Sequence, residues 1–257
     1  MLLAIQLANQ IAYNNQKPVG INHLQNQYPT VSLVDDKIHK RLYDLTAKFI
    51  TLCQKSQIQY WAICGTALGA LRHQSIIPWD DDVDMAIDDR DSLRFTQAIY
   101  KYATILHLDI QRPPASHFLF GVWRIGSSDG PILLKNNITA DPRIDVHLMK
   151  PNLEHTAFVF ARPILRACFS QTKIPIDLGQ QHMKVQQAKF GPISIQVPRP
   201  IEPYLTQEFG PNWKTECRVA KPRKNTLPTR TLPYKSSTKS FILISNGKRQ
   251  CDCNGSN

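Results

Sequence analysis

The sequence lacks several features that would assign the protein to a particular class. No run of about 18 apolar residues occurs, so we predict no transmembrane helix. The opening residues, MLLAIQLANQIAY, have no basic segment before the apolar one, and we therefore expect no secretory signal. No internal repeat is present. The 257 residues are 42% hydrophobic and 20% charged, as in an ordinary globular protein.

Zinc-ligand spacing is also missing from the six cysteines. Cys251 and Cys253 are separated by a single residue, which alone is a weak metal signal. Scattered cysteines in a chain of this length do not require a disulfide framework, so we expect a reducing, cytoplasmic compartment.

Acidic residues are scarce mainly at the C-terminal end. The formal net charge is +11, and residues 214–257 hold ten lysines and arginines against Glu216 and Asp252. The rest of the chain is therefore close to balanced. We interpret residues 214–257 as a basic, irregular tail that could make peripheral contact with an anionic membrane. We expect no specific nucleic-acid partner.

Apolar residues first become periodic after Asp35. The residues that recur at three- and four-residue steps are Ile38, Leu42, Leu45, Phe49, Leu52 and Cys53. This spacing predicts a helix with one buried face. A short buried strand is predicted over 58–64 and a helix over 66–73. Residues 1–34 show no firm period and are interpreted as an N-terminal extension.

An acidic run leads into a second apolar strand. Residue types alternate over 82–87, and successive side chains of a strand point to opposite faces. We therefore predict Asp82 and Asp84 on one face, about 7 Å apart along the strand. Two such carboxylates repel each other and are costly to desolvate, and a divalent cation relieves both costs. Oxygen ligands suit Mg²⁺ or Mn²⁺, so the pattern predicts a metal centre for phosphoryl transfer.

Three alternative interpretations of the acidic residues 80–84 are less consistent with the sequence. An EF-hand loop beginning at Asp80 would need glycine and glutamate where Met85 and Asp91 stand. A solvated acidic turn accounts for Asp80 and Asp81, but not for a carboxylate within an apolar strand at Asp84. The D-x-D motif of a sugar transferase would follow a nucleotide-binding βαβ region, whereas the preceding residues indicate mostly helix and loop.

The residues between the two strands offer a place for phosphate. Glycine at position 65 lets the backbone turn sharply and approach a ligand. The free N–H groups of a helix start, with the Thr66 hydroxyl, can hold a phosphate. A plain strand–helix turn, with Thr66 as the cap, is the alternative. Arg72 can clamp phosphate oxygens or pair with the acidic run, and His73 is interpreted as a surface residue.

A third carboxylate lies in a later apolar segment. Over 143–150 the apolar residues form one face, and Asp145 and His147 lie on the other. A neighbouring strand could therefore present Asp145 beside the acidic pair. An ion pair with Arg143 or Arg124 is the alternative. Arg124 itself could neutralise a phosphate or form a structural ion pair.

The remaining elements are predicted from periodicity alone. Helices are predicted over 91–106, with Leu93 on the buried side, over 155–169 and over 178–189. Strands are predicted over 118–125 and 193–197, a polar loop over 127–142, and a short helix from Pro200 to Gly210. Tyr204 and Trp213 are interpreted as packing residues rather than as walls of an acceptor pocket.

Residues 65–87, GTALGALRHQSIIPWDDDVDMAI, resemble the signature of the LicD/fukutin family. The shared features are a glycine-plus-hydroxyl turn, a helix ending in Arg-His, then Ile-Pro-Trp-Asp and a D-x-D strand. Weaker likeness continues through FGVWR at 120–124 and RIDV at 143–146, and then from Val197-Pro198 through Tyr204-Leu205 and Phe209-Gly210 to Trp213. The resemblance therefore covers about 35–213. It implies a single α+β domain over 35–213, with a nucleotidyltransferase-like mixed β-sheet flanked by helices.

Members of that family are phosphotransferases. The resemblance implies transfer of a phosphocholine- or ribitol-phosphate-like group from a CDP-linked donor to a sugar of a glycan or glycolipid, as in lipopolysaccharide or teichoic acid. It implies that Gly65 and Thr66 hold the donor phosphates, that Asp82 and Asp84 bind the metal, and that Asp145 is a third ligand or a general base. Two alternatives stay open: a nucleotidyltransferase using a nucleoside triphosphate, and a non-catalytic glycan-binding module.

Overall fold

The described part of the chain contains five α-helices and thirteen strands. The computed structural model describes residues 34–111, 122–134, 137, 139–177, 180–214, 216–219 and 230–233. Helices α1 to α5 span Asp36–Lys55, Cys64–Arg72, Ser92–Tyr102, Pro163–Cys168 and Glu202–Phe209. Strands β1 to β9 span Tyr60–Ala62, Val83–Asp88, Leu108–Gln111, Trp123–Ser127, Ile132–Leu133, Thr139–Ala140, Ile144–Pro151, Ala157–Phe160 and Ile174–Pro175. Strands β10 to β13 span Val185–Phe190, Ile193–Pro198, Glu216–Val219 and Arg230–Pro233.

Seven of these strands form one mixed sheet. Its order is β1-β2-β7-β4-β3, and β8 pairs with both β7 and β9. Strands β2 and β7 run parallel, whereas the other pairs in the sheet are antiparallel. A mixed sheet accompanied by helices confirms the α+β class predicted from the sequence.

Helix α1 follows the predicted apolar stripe. Its N-terminal cap is Asp35, whose carboxylate accepts a hydrogen bond from the backbone N–H of Lys37 at 2.9 Å. The residues of the stripe with no exposed surface are Leu42, Leu45, Phe49, Leu52 and Cys53. The ring of Phe49 packs edge-on against Tyr60 of β1 and Phe95 of α3. The stripe therefore joins α1 to both the sheet and α3.

The helix predicted over 155–169 is wrong over its first half, because a short apolar run can form a helix or a buried strand, and the helix predicted over 178–189 is wrong. Residues 157–160, predicted as helix, form β8, and all four are buried. Helix α4 begins only at Pro163, since proline is tolerated in the first turn of a helix but not inside one. The segment predicted as helix over 178–189 contains most of β10, which pairs along its length with β11.

Three smaller predictions also differ from the structure. Helix α3 is shorter than predicted, and Leu93 is 78% exposed rather than buried. Residues 127–142, predicted as a polar loop, include the short β5–β6 pair. Strands β12 and β13 pair antiparallel, so the irregular structure predicted for the tail does not hold for these residues.

Several predictions lie outside the described residues. They concern residues 1–33, the segment 118–121, and most of the basic tail. Within the described residues, no helix is long and apolar enough to cross a membrane.

Gly69 of α2 lies against the segment that leads back to the acidic strand. A Cβ atom there would lie 2.6 Å from the carbonyl oxygen of Ser75 and 3.3 Å from Cγ1 of Ile77. We expect Gly69→Ala to destabilise the protein, because overpacking costs about 1–3 kcal/mol and the gain in helix propensity is at most about 1 kcal/mol. Urea unfolding measures the difference. A variant as stable as the wild type would mean that the segment moves aside without cost.

Candidate metal and phosphate site

The acidic strand β2 lies in the interior of the sheet, between β1 and β7. It begins at Val83, so Asp82 precedes the strand rather than opening it as predicted. Val83 and Met85 are fully buried, as the alternation predicts, and Asp84 on the other face keeps 16% side-chain exposure. The parallel neighbour β7 places Asp145 directly opposite Asp84. The two predicted carboxylates therefore come from adjacent parallel strands, whose backbones lie about 4.8 Å apart.

A compact group of carboxylates lies immediately before β2. One oxygen each of Asp80, Asp81 and Asp82 lies within 4.8 Å of the others. Among the described residues, these three are the group whose ligand oxygens lie this close together. Asp84 and Asp145 do not belong to this group. Asp80 is buried and Asp81 is exposed. The sequence interpretation of both as a solvated turn is therefore wrong for Asp80.

The carboxylate of Asp84 is in an unfavourable environment when it is ionised. Burial raises the pKa of Asp84 above its ordinary value of 3.8, and repulsion from Asp82 raises it further. A hydrogen bond from His147, whose Nε2 lies 3.2 Å from Oδ1 of Asp84, acts in the opposite direction. The net shift is upward, so a positive charge near Asp84 would stabilise the ionised form.

Asp145 forms the ion pair that the sequence left open. Its Oδ1 accepts a hydrogen bond from Nε of Arg124 at 3.1 Å, and the two residues are cross-strand partners on β7 and β4. Arg124 is half exposed, and this ion pair places its guanidinium group next to Asp145. The other candidate, Arg143, is buried and pairs instead with Asp109 at 3.0 Å and Asp141 at 2.6 Å.

The start of α2 lies beside Asp84. The N–H group of Ile63 donates to the carbonyl oxygen of Asp84 at 3.2 Å, which continues the β1–β2 pairing to the helix. The N–H group of Asp84 donates in turn to Oγ1 of Thr66 at 2.8 Å. The first N–H groups of a helix have no acceptor within the helix. Those of Gly65 and Thr66 lie at the start of α2, next to the acidic strand, and N–H groups at a helix start can bind an anion.

The sharp turn at the start of α2 falls on Cys64 rather than on Gly65. Cys64 has a φ of +49°, a left-handed conformation that residues with a side chain rarely adopt, and Gly65 does not share it. The N–H group of Cys64 donates to the hydroxyl oxygen of Tyr204 at 2.8 Å. Tyr204 is fully buried, and burial raises its pKa well above the usual value, so the phenol stays protonated. Helix α5 therefore holds the turn in place.

Arg72 is the predicted site residue that the structure keeps apart from the others. It ends α2, about 10 Å along the helix from Gly65. Its Nη1 donates to the carbonyl oxygen of Trp213 at 3.0 Å. Neighbouring His73, interpreted as a surface residue, is buried with its ring edge against Trp79. The structure thus brings Gly65, Thr66, Asp82, Asp84, Asp145 and Arg124 into one region.

Two further residues contact the site without a role in the sequence interpretation. The sequence indicates only packing for Tyr204, whereas its hydrogen bond to the turn joins parts of the chain 140 residues apart. For His147 the sequence predicts only a face shared with Asp145. The alternation along β7 is the one sequence signal that places His147 near the carboxylates.

The hydrogen bond between Thr66 and Asp84 can be tested by substitution. Thr66 is buried, so Thr66→Val leaves the N–H of Asp84 without this acceptor while keeping the shape of the side chain. We expect a loss of about 1–3 kcal/mol in the free energy of unfolding and faster hydrogen exchange at the Asp84 amide. Thr66→Ser is the matched control, because it keeps the oxygen. An unchanged rate of hydrogen exchange at the Asp84 amide in Thr66→Val would show that the Thr66 hydroxyl does not protect this N–H group.

Part of the chain matches the sequence model of a known protein family. Residues 57–114 match the sequence model described as LicD/FKTN/FKRP, nucleotidyltransferase domain. This segment contains the turn, α2 and the acidic strand. The resemblance noted from the sequence is therefore confirmed over the part of the chain that carries its densest motif.

Curated relatives match over a limited length. The chain is 36% identical over 88 residues to uncharacterized proteins of Rickettsia prowazekii and Rickettsia typhi, covering 31% of this chain and 33% and 28% of the relatives. It is 38% identical over 53 residues to the lipopolysaccharide cholinephosphotransferase LicD of Haemophilus influenzae, covering 21% of this chain and 20% of that protein. The chain thus spans a third or less of the length of these relatives.

Proposed function

We propose that the protein is a metal-dependent phosphotransferase, because residues 57–114 match the model of the LicD/FKTN/FKRP nucleotidyltransferase domain. It would move a phosphocholine- or ribitol-phosphate-like group from a CDP-linked donor to a sugar hydroxyl. One observation carries the proposal: carboxylates of adjacent strands lie directly beside the start of a helix, and the Thr66–Asp84 hydrogen bond joins the two. This arrangement would bring a cation and a phosphate group together.

The residue types present suit a hard divalent cation, and Asp82 also belongs to the compact Asp80–Asp82 group whose oxygens lie within 4.8 Å of one another. Asp82 and Asp84 would hold Mg²⁺ or Mn²⁺, with Asp145 as the third carboxylate, and all three offer the oxygen atoms that these ions prefer. The raised pKa of Asp84, caused by burial and by Asp82, is a second sign of fit, since a cation offsets both causes. When bound, the cation would neutralise charge on the donor diphosphate and on the departing nucleotide.

The protein's own groups would bind and orient the two substrates. The N–H groups of Gly65 and Thr66 would donate to the donor phosphates, and Arg124 would meet phosphate charge at the edge of the site. The acceptor hydroxyl oxygen would attack the distal phosphorus in line, forming one P–O bond while the bond to CMP breaks. Asp145 would bind the cation or accept the hydroxyl proton. Positioning and electrostatics would supply most of the rate.

A nucleotidyltransferase is the second candidate, because the matching family model describes a nucleotidyltransferase domain. The same carboxylates would then support attack on the α-phosphorus of a nucleoside triphosphate. A glycan-binding module without catalysis is less well supported. Such a module has no need to bury Asp84 beside the repelling Asp82 carboxylate.

Product analysis separates these functions. The protein would be incubated with Mg²⁺, an oligosaccharide acceptor, and CDP-choline, CDP-ribitol, CDP-glycerol or CTP in turn. We expect CMP from one of the CDP-alcohols. Release of pyrophosphate from CTP would instead support nucleotidyl transfer. No product, and no change in melting temperature with any of these compounds and Mg²⁺, would contradict both enzymatic functions.

The acceptor and the cellular setting are further proposals. LicD of Haemophilus influenzae is named for a lipopolysaccharide, which suggests a glycan or glycolipid acceptor for this chain too. The excess of basic residues in 214–257 would favour an anionic membrane surface that carries such an acceptor. Sedimentation with anionic vesicles, compared with neutral ones, tests the membrane contact.

A further inference from the structure

His147 lies next to the proposed metal ligands on β7. It stands opposite Ala86 of β2 and two residues beyond Asp145, so its side chain is on the same face as Asp145. Its Nε2 lies 3.2 Å from Oδ1 of Asp84. Only 12% of the His147 side chain and 16% of the Asp84 side chain are exposed. The contact is therefore shielded from solvent.

The surroundings of the imidazole ring determine which nitrogen carries the proton. The ring packs against Phe160, with centroids 5.3 Å apart. Nδ1 is buried and has no hydrogen-bond partner within the described residues. A proton on Nδ1 would be a buried donor without an acceptor, which is costly, whereas an ionised Asp84 offers an acceptor to a proton on Nε2. The stable neutral form therefore carries its proton on Nε2.

We propose that His147 is a positioning residue, whose Nε2–H bond to Oδ1 fixes the Asp84 carboxylate and leaves Oδ2 for the cation. The inference rests on the proposed metal-dependent function and adds a protein group to it. Hydrogen-bond partners of metal ligands orient them, and losing such a partner commonly weakens metal binding about 10–100-fold. Direct binding of the cation by Nε2 would require the proton to move to the buried Nδ1.

Two substitutions at position 147 separate the hydrogen bond from packing. His147→Phe keeps an aromatic ring against Phe160 and removes the donor, whereas His147→Gln keeps an N–H at a similar reach. Mn²⁺ affinity is measured by electron paramagnetic resonance on protein stripped of metal. We expect about a tenfold or greater loss in His147→Phe and a change within about threefold in His147→Gln. His182→Gln, at an exposed histidine, is the matched control.

Measurements on the wild type keep the proposal testable even if a variant fails to fold. A long-range ¹H–¹⁵N NMR spectrum of the stripped protein should show the His147 proton on Nε2. The Mn²⁺ spectrum should show no directly bound nitrogen. A proton on Nδ1, a nitrogen ligand, or wild-type affinity in His147→Phe would each overturn the positioning role while the metal site stands. A wild type that binds no Mn²⁺ would overturn the proposed function and this role together.

Discussion

Asp84→Asn should abolish transfer and make the metal-stripped protein more stable. Asp84 is a proposed metal ligand, and losing a ligand that helps stabilise several kcal/mol of charge in the transition state corresponds to a rate loss of about 10³-fold or more. Stability should rise because burial and the Asp82 carboxylate disfavour the charge of Asp84 and raise its pKa. Asparagine keeps an oxygen that can accept from His147, so the local packing should survive. Steady-state transfer assays and urea unfolding measure the two effects.

Asp88→Asn is the matched control on the same strand. Asp88 lies about 13 Å along β2 from Asp84. It is buried and accepts hydrogen bonds from Arg90, including one at 2.6 Å from Nη2. We expect this variant to lose stability and keep transfer activity, the opposite of Asp84→Asn. An active Asp84→Asn variant would remove Asp84 from the metal site, and a strongly destabilised one would assign it a structural role.

Asp145→Asn should lower the rate of transfer by about 10²–10³-fold, the range found when one group that stabilises transition-state charge is removed. Asp145 lies opposite Asp84 and faces the same region, and Arg124 holds one of its oxygens. Mn²⁺ affinity separates its two possible roles. A loss of affinity indicates a ligand, whereas unchanged affinity with a slow rate indicates a proton acceptor.

Asp141→Asn is the control for Asp145→Asn. Asp141 pairs with Arg143 at 2.6 Å, and Arg143 pairs in turn with Asp109 rather than with a site carboxylate, so loss of the Asp141 charge should leave both metal affinity and transfer close to wild type. If Asp145→Asn transfers at the wild-type rate, the Arg124–Asp145 pair is only structural.

The local parts of the fold are predictable from the sequence because they depend on neighbouring residues. The stripe from Leu42 to Leu52 predicts α1, and the alternation around Val83 and Met85 predicts β2. The segment over 157–168 is not predictable in this way. Its apolar residues fit either element, and β8 is stabilised by pairing with β7 and β9, which the local pattern does not contain.

The contacts that organise the site join distant parts of the chain. Thr66 and Asp84 are 18 residues apart, His147 and Asp84 are 63 apart, and Tyr204 and Cys64 are 140 apart. The sequence shows which residues have suitable chemistry, but only the fold shows which of them meet. For the same reason, Arg72 is a reasonable candidate by residue type, but the length of α2 separates it from Gly65 and Thr66.

Calorimetric titration of Mn²⁺ into the protein in the presence of CDP tests the central claim most directly. The account predicts saturable binding by the wild type and affinity at least about tenfold weaker in Asp84→Asn, while Asp88→Asn binds as the wild type does. A wild type that shows no saturable Mn²⁺ or Mg²⁺ binding would contradict it.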